Sequence, residues 1–196
     1  MPGIARQCNE VAPRPAPVAR RAAFLDRDGT LIADAHYLSR PDQLKLIPGV
    51  VDAIRALNDA NIPVVVITNQ SGIARGYFTE KEYCVVERAL DEMLRAEGAI
   101  VEGSYHCPHL PELSGGCGCR KPGTALFRYA AARHNLVLEG SLFAGDRWRD
   151  VAPARALGGV GIMVPAPDTS AEERRLARAY TSVADTLGQA VARFLG

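Results

Sequence analysis

The sequence has no long hydrophobic run. Its densest apolar stretch, Ile62 to Ile67, is strand-sized and contains Pro63, far short of the roughly 20 apolar residues that span a membrane. No membrane partner is expected. Nor is there an excess of charge of either sign. Lys and Arg number 23 against 22 Asp and Glu, a formal net charge of +1, so no global field exists to hold a polyanion and nucleic acid is not an expected partner. The first residues also lack the apolar stretch of roughly 7–15 residues that a secretory signal needs. Residues 1–21 instead carry Arg6, Arg14, Arg20 and Arg21 among Pro2, Pro13, Pro15 and Pro17, and read as a flexible basic tail. Cysteine is scarce: there are five, an odd number that argues against a disulfide framework. Cys8 and Cys84 read as unpaired thiols, and a reducing cytoplasm is the expected compartment.

What is present is ordinary globular composition, with 47% hydrophobic and 23% charged residues, enough for one core over residues 22–196. From residue 22 the chain alternates short apolar runs with longer helical patterns, the grammar of an α/β fold. Strands are expected at Ala22–Leu25, Ile62–Ile67, Val101–His106, Ser141–Ala144 and Gly159–Val164. Between the first two, Pro48 opens a helix whose apolar face is Val50, Val51, Ile54 and Leu57. Thr79 and Glu82 form a capping-box pattern at the head of a helix reaching Glu97. Further helices are expected from Pro122 to His134 and near Val151 to Leu157, followed by two C-terminal segments rich in Ala, Arg and Leu. These elements predict a Rossmann-like parallel sheet sandwiched by helices. Thr30 to Thr68 leaves no room for a large cap domain, so the site should be open.

In such a sheet ligands bind outside the carboxyl ends of the strands. Those ends carry Asp26 and Asp28, Thr68 and Asn69, and Asp146. Asp26-Arg27-Asp28-Gly29-Thr30 places two carboxylates two residues apart where a strand breaks into a loop. One can take a phosphoryl group as an acyl phosphate while the other exchanges protons with leaving group and water; a plain Asp-Gly turn is the competing reading. Thr68 offers a hydroxyl for phosphate oxygens and Lys121 a cation. Asp146, with Asp150 four residues on, is the kind of carboxylate that Mg²⁺ takes. Cys107, His109, Cys117 and Cys119 supply three sulfurs and one imidazole, the four ligands of a closed, structural zinc site. That site would pin its loop and aim Arg120 and Lys121 at the phosphate pocket.

The set Asp26-Arg27-Asp28-Gly29-Thr30, Thr68-Asn69-Gln70-Ser71-Gly72, Arg120-Lys121-Pro122 and Gly145-Asp146-Arg147 through Asp150 resembles the haloacid dehalogenase superfamily of phosphatases. Within it, the set is most similar to the heptose bisphosphate branch and the related histidinol-phosphatase branch. The resemblance implies a phosphoric monoester hydrolase with Asp26 as nucleophile, Asp28 as general acid and base, and Thr68 and Lys121 stabilising the phosphoryl oxygens. It implies Mg²⁺ held by the Asp26 carboxylate, the Asp28 backbone carbonyl and Asp146, with Asp150 behind them or at a helix start. For a phosphorylated sugar it implies contacts from Asp34, His36 and Tyr37, from Asn69, Gln70 and Ser71, and from Arg120. The heptose branch usually carries Lys where this chain has Arg147, a further implied substrate contact that keeps the charge as a planar fork. Trp148 reads equally as a wall of the site or as a packed aromatic. The segment Asn69 to Glu80 favours a heptose bisphosphate over histidinol phosphate as substrate. A non-catalytic zinc-loop module is the reading from another class. A monomer is expected.

Overall fold

The computed structural model describes residues 8, 18–34, 37–110 and 116–196. The strands are β1 (Arg20–Leu25), β2 (Val64–Asn69), β3 (Gly103–Cys107), β4 (Leu136–Gly145), β5 (Val160–Met163) and β6 (Ser182–Val183). Interleaved with them are α1 (Val50–Asp59), α2 (Ser71–Ala74), α3 (Glu80–Ala96), α4 (Ala125–His134), α5 (Trp148–Val151), α6 (Pro153–Leu157), α7 (Ala171–Tyr180) and α8 (Leu187–Leu195). All six strands are parallel, in the order β3-β2-β1-β4-β5-β6. The winding therefore reverses at β1, and the crevice of such a sheet opens at that reversal. Leu25 pairs in register with Ala144, so Asp26 and Asp146 leave neighbouring strands side by side.

Side chains alternate across the sheet and build two apolar layers. Ala23 and Leu25 of β1 pack with Ile54 and Leu57 of α1, Leu90 of α3 and Val191 of α8. Ala22 and Phe24 face the opposite layer, with Leu126 and Phe127 of α4 and Leu157 of α6. Phe24 stacks on Phe143 at 5.1 Å and meets Phe127 edge-on at 5.6 Å, the offset and T-shaped geometries that the ring quadrupole favours. Covered on both faces, β2 is buried from Val64 to Thr68, which is why it reads as an unbroken β-branched run rather than an alternating one. The capping box at the head of α3 is present: Thr79 Oγ1 accepts the Glu82 N–H at 3.2 Å, and the Glu82 carboxylate accepts the Thr79 N–H at 2.7 Å.

Several boundaries differ from the expectation. β1 begins at Arg20, so Arg20 and Arg21 of the basic tail are strand residues, paired with Leu136 and Val137. β4 accordingly runs from Leu136, through Gly140 at φ 67°, a residue that reads as a break but is a kink where the register shifts. β6 is two residues long and leaves no periodic signature. Apart from Cys8 and residues 18–21 the tail lies outside the described residues, as does His36. Among the described residues the stretch from Thr30 to Pro63 holds one short 3-10 turn (Pro41–Gln43) and α1, so no cap domain is built there. Cys8 and Cys84 are joined in a disulfide, correcting the reading of two unpaired thiols. Spacing could not reveal a bridge between cysteines 76 positions apart. The pairing also removes the argument from which a reducing compartment was drawn. No described helix is long and apolar enough to cross a membrane.

Candidate active site

At the carboxyl end of β1, Asp26 is 6% exposed, and its N–H donates to Ala144 O across the strand pair at 2.9 Å. Lys121 reaches it from the loop after β3. Lys121 Nζ donates to Asp26 Oδ1 at 2.6 Å and to Ile67 O at 2.6 Å, and meets Asp150 Oδ1 at 2.7 Å. The loop backbone is itself fixed: Lys121 N–H donates to Asn69 Oδ1 at 3.0 Å, and Asn69 Nδ2 donates to Lys121 O at 3.2 Å. Burial works against the ammonium, but Asp150 and Asp26 outweigh it and hold Lys121 above its ordinary pKa.

Asp28 lies on the outer side of the motif. Its carboxylate accepts from Arg27 at 3.0–3.2 Å, from Gln70 Nε2 at 2.6 Å and from Thr68 Oγ1 at 3.3 Å. Gln70 also donates to Thr68 Oγ1 at 2.9 Å, so the end of β2 braces the second carboxylate. Gly29, within the motif, has φ 79°, and a Cβ there would stand 2.7 Å from Asp146 Oδ2. Only glycine permits both the turn and that approach.

Oxygen atoms of Asp26, Asp146 and Asp150 lie within 4.8 Å of one another, all three residues buried. Burial first, then Asp150 and Asp28, push Asp26 up to about 6 against the pull of Lys121. Burial, then Asp26 and Asp150, push Asp146 up to about 8. Asp146 Oδ1 is buried and receives no hydrogen bond among the described residues, although Arg147 Nε holds Oδ2 at 2.9 Å. A buried carboxylate oxygen without a donor, among other carboxylates, fits a hard divalent cation with oxygen ligands. Asp150 stands behind: its Oδ2 accepts the Arg147 N–H at 2.9 Å in the capping box of α5, while Oδ1 faces Lys121.

Two family models match the chain. One, of haloacid dehalogenase-like hydrolases, covers residues 23–100, and a second, of HAD-hydrolase-like proteins, covers residues 118–190. The chain is 38% identical over 146 residues to a D-glycero-beta-D-manno-heptose-1,7-bisphosphate 7-phosphatase of Haemophilus ducreyi, across 72% of this chain and 80% of that one. The chain belongs to the haloacid dehalogenase-like hydrolases. To a D-glycero-D-manno-heptose-1,7-bisphosphate 7-phosphatase of Thermosynechococcus vestitus it is 40% identical, over 74% of this chain and 79% of that one. Among solved structures, the D,D-heptose 1,7-bisphosphate phosphatase of B. bronchiseptica, complexed with magnesium and phosphate, superposes with a TM-score of 0.77 at 32% identity, covering 89% of this chain and 98% of that chain. These relatives are phosphatases, and this hydrolase is a phosphoric monoester hydrolase with a haloacid dehalogenase fold.

Beside the hydrolase's carboxylate cluster stands the sulfur loop. Cys107 Sγ lies 3.2 Å from Cys119 Sγ and 3.7 Å from Cys117 Sγ, and His109 Nδ1 lies 3.2 Å from Cys119 Sγ and 3.5 Å from Cys107 Sγ. With Zn–S near 2.3 Å, a tetrahedron has edges of about 3.8 Å, so the four ligand atoms already hold close to the geometry of one metal. Burial raises the Cys107 and Cys119 thiols above their ordinary pKa, and a bound cation relieves that by taking them as thiolates.

The remaining expected residues are placed more variously. Arg120 Nη1 donates to His109 O at 3.1 Å, tying its side chain to the sulfur loop. Asn69 and Gln70 are turned onto Lys121 and Asp28, where they position groups of the site. Ser71 opens α2, and Asp34 is exposed. Tyr37, at φ 64°, packs edge-on against Tyr77 at 4.5 Å. The Arg147 guanidinium meets Asp146, Asp168 and Glu173, which makes it a brace on Asp146. Trp148 is partly buried in a small cluster with Val151 and Met163, its ring 6.0 Å from that of Tyr180, so it is a packed aromatic. Sequence reasoning missed Arg27 and Glu87, both buried, Arg27 against Asp28 and Glu87 behind Arg27. The available signal was Glu87 itself, a charge on the face of α3 otherwise formed by Tyr83, Val86, Leu90 and Leu94.

Proposed function

We propose that this hydrolase removes the 7-phosphate of D-glycero-D-manno-heptose 1,7-bisphosphate, with Mg²⁺ as cofactor, through a phospho-Asp26 intermediate. The observation that carries the chemistry is a buried carboxylate, Asp26, gripped by Lys121 next to the unpartnered Asp146 Oδ1. Mg²⁺ would be held by the carboxylates of Asp26 and Asp146 and the backbone carbonyl of Asp28, and when bound it neutralises charge on the phosphoryl oxygens. The Asp26 carboxylate attacks phosphorus, forming the acyl phosphate as the bond to the sugar oxygen breaks, and Asp28 gives its proton to that oxygen. Water then attacks phosphorus, Asp28 takes the proton, and the Asp26 carboxylate is released with phosphate. Lys121 and the Thr68 hydroxyl balance the charge of the transferred group.

The names of the relatives and the absence of a cap among the described residues support a sugar phosphate taken into an open site. The sulfur loop with Arg120 and the segment around Asp34 and Tyr37 would form its walls. The test is a comparison of kcat/KM on heptose 1,7-bisphosphate and histidinol phosphate. A preference of at least about 10-fold for the heptose is expected, and the opposite preference overturns the substrate assignment. A non-catalytic zinc-loop module would turn over neither compound.

The sulfur loop we assign to one structural zinc. Metal analysis of the purified protein is expected to give one zinc per chain. Stripping it with a chelator should lower the melting temperature by about 10 °C or more and raise KM, because the loop that carries Arg120 and Lys121 loses its anchor. A chelated protein that melts and binds as before would exclude the assignment.

A further inference from the structure

We infer that Arg27 and Glu87 are positioning residues for Asp28, fixing which of its two carboxylate oxygens carries the transferred proton. The inference rests on the phospho-Asp26 reading above. Arg27 sits between the two motif aspartates, yet its side chain is 1% exposed. Its Nε and Nη2 donate to Asp28 Oδ2 at 3.2 and 3.1 Å, and Nη2 also reaches Oδ1 at 3.0 Å. From the far side, Nη1 donates to Glu87 Oε2 at 3.3 Å, and the guanidinium lies over the Tyr83 ring, 5.1 Å from its centroid. Glu87 is in turn held twice: the Tyr83 hydroxyl donates to Oε2 at 3.1 Å, and the Ser104 hydroxyl donates to Oε1. A line of charged contacts thus runs from β3 through α3 to Asp28, each member gripped from both sides.

A core that needed only volume at this position would be served by an apolar side chain, without desolvating a cation that cannot be neutralised. What a planar fork adds is orientation. The two Asp28 oxygens are not equivalent. Oδ2 faces four donor atoms: Nε and Nη2 of Arg27, Nε2 of Gln70 and Oγ1 of Thr68. Among the described residues, Oδ1 faces Arg27 Nη2 alone. A proton on Oδ2 would point into donors, so Oδ1 is the oxygen that delivers it. Without the fork, Gln70 and Thr68 would be left to restrain the rotation that exchanges the two.

Leaving-group dependence separates this role from simple support of the fold. A sugar alkoxide leaves only with a proton, whereas p-nitrophenolate leaves without one. Because kcat/KM reports steps up to departure of the leaving group, later hydrolysis of the phosphoenzyme does not blur the comparison. Glu87→Gln keeps the shape but removes the negative charge that holds the Arg27 guanidinium from behind; Arg27→Lys keeps the charge and removes the fork. Each is expected to lower kcat/KM for the sugar phosphate by at least about 30-fold while p-nitrophenyl phosphate changes by less than about 3-fold. Equal losses on both substrates, or no loss on either, overturn the proposal. If Arg27→Lys does not fold, Glu87→Gln, checked by its melting curve, decides alone. Wild-type protein that turns over neither substrate would instead count against the phosphatase reading and leave the geometry around Asp28 untouched.

Discussion

Asp26→Asn should lower turnover by about 10⁴-fold or more while leaving the fold intact. An amide cannot form the acyl phosphate, so the two-step path is closed rather than slowed, and what survives is the rate that positioning and charge alone sustain. The substitution is gentle structurally. Asn Oδ1 can still accept from Lys121 Nζ, replacing the 2.6 Å contact, and one of three clustered buried carboxylates is gone. Stability should hold or rise. The check is steady-state phosphate release beside a melting curve, with acid quench to trap phosphoprotein in the wild type and its absence in the variant. Turnover retained within 10-fold would mean that another group attacks phosphorus.

Lys121→Met should fail differently, through stability as well as rate. Lys121 is the cation that faces both Asp26 and Asp150, with 2% of its side chain exposed. Removing one partner of a buried pair strands the other and costs about 3–5 kcal/mol, roughly 10 °C of melting temperature for a chain of this length. The loss depends on pH with a definite sign. Asp26 and Asp146 already have folded pKa values near 6 and 8, above the ordinary carboxylate value, and loss of the ammonium, which holds Asp26 down, raises Asp26 further. Groups raised on folding stabilise below their unfolded pKa and lose that contribution as pH rises through the folded value. The variant should therefore approach wild-type stability near pH 4 and fall away most between pH 6 and 8. Adding Mg²⁺ should narrow the gap at pH 8, since a cation again faces the carboxylates. Turnover at saturating Mg²⁺ should stay about 10²–10³-fold down, because the charge on the transferred phosphoryl group is no longer balanced. A gap that is independent of pH and Mg²⁺ would mean that Lys121 acts through packing.

The parts of the site legible in the sequence are those written as short contiguous words at strand ends. Asp26 to Thr30, Thr68 to Ser71 and Gly145 to Asp150 each pair a buried run with polar residues at its exit, and the parallel sheet brings them together once the strands exist. The clustering of Cys107, His109, Cys117 and Cys119 was legible for the same reason, since such spacing is local. What stayed hidden depends on partners far along the chain. Arg27 meets Glu87 across 60 residues, and Cys8 meets Cys84 across 76; no window of sequence contains either pair. Arg147 was visible as a charge, but whether it faces solvent or Asp168 and Glu173 depends on how the loop after β5 folds back. The first half of β4 was lost because Gly140 is a kink in this strand and a terminator in most others.

The strand order has a consequence during synthesis. β1 lies between β2 and β4, and β4 closes at Gly145, 120 residues after Leu25 at the end of β1. At about 5–20 residues per second on the ribosome, roughly 6 to 24 s separate the appearance of Asp26 from that of its neighbour Asp146. Throughout that interval one edge of β1 has no strand to pair with, and an open edge invites pairing with other chains. Arg20 and Arg21 sit at the start of that edge, where positive charge discourages such pairing until β4 arrives. Every nascent chain thus carries a shield for its edge before it carries an active site.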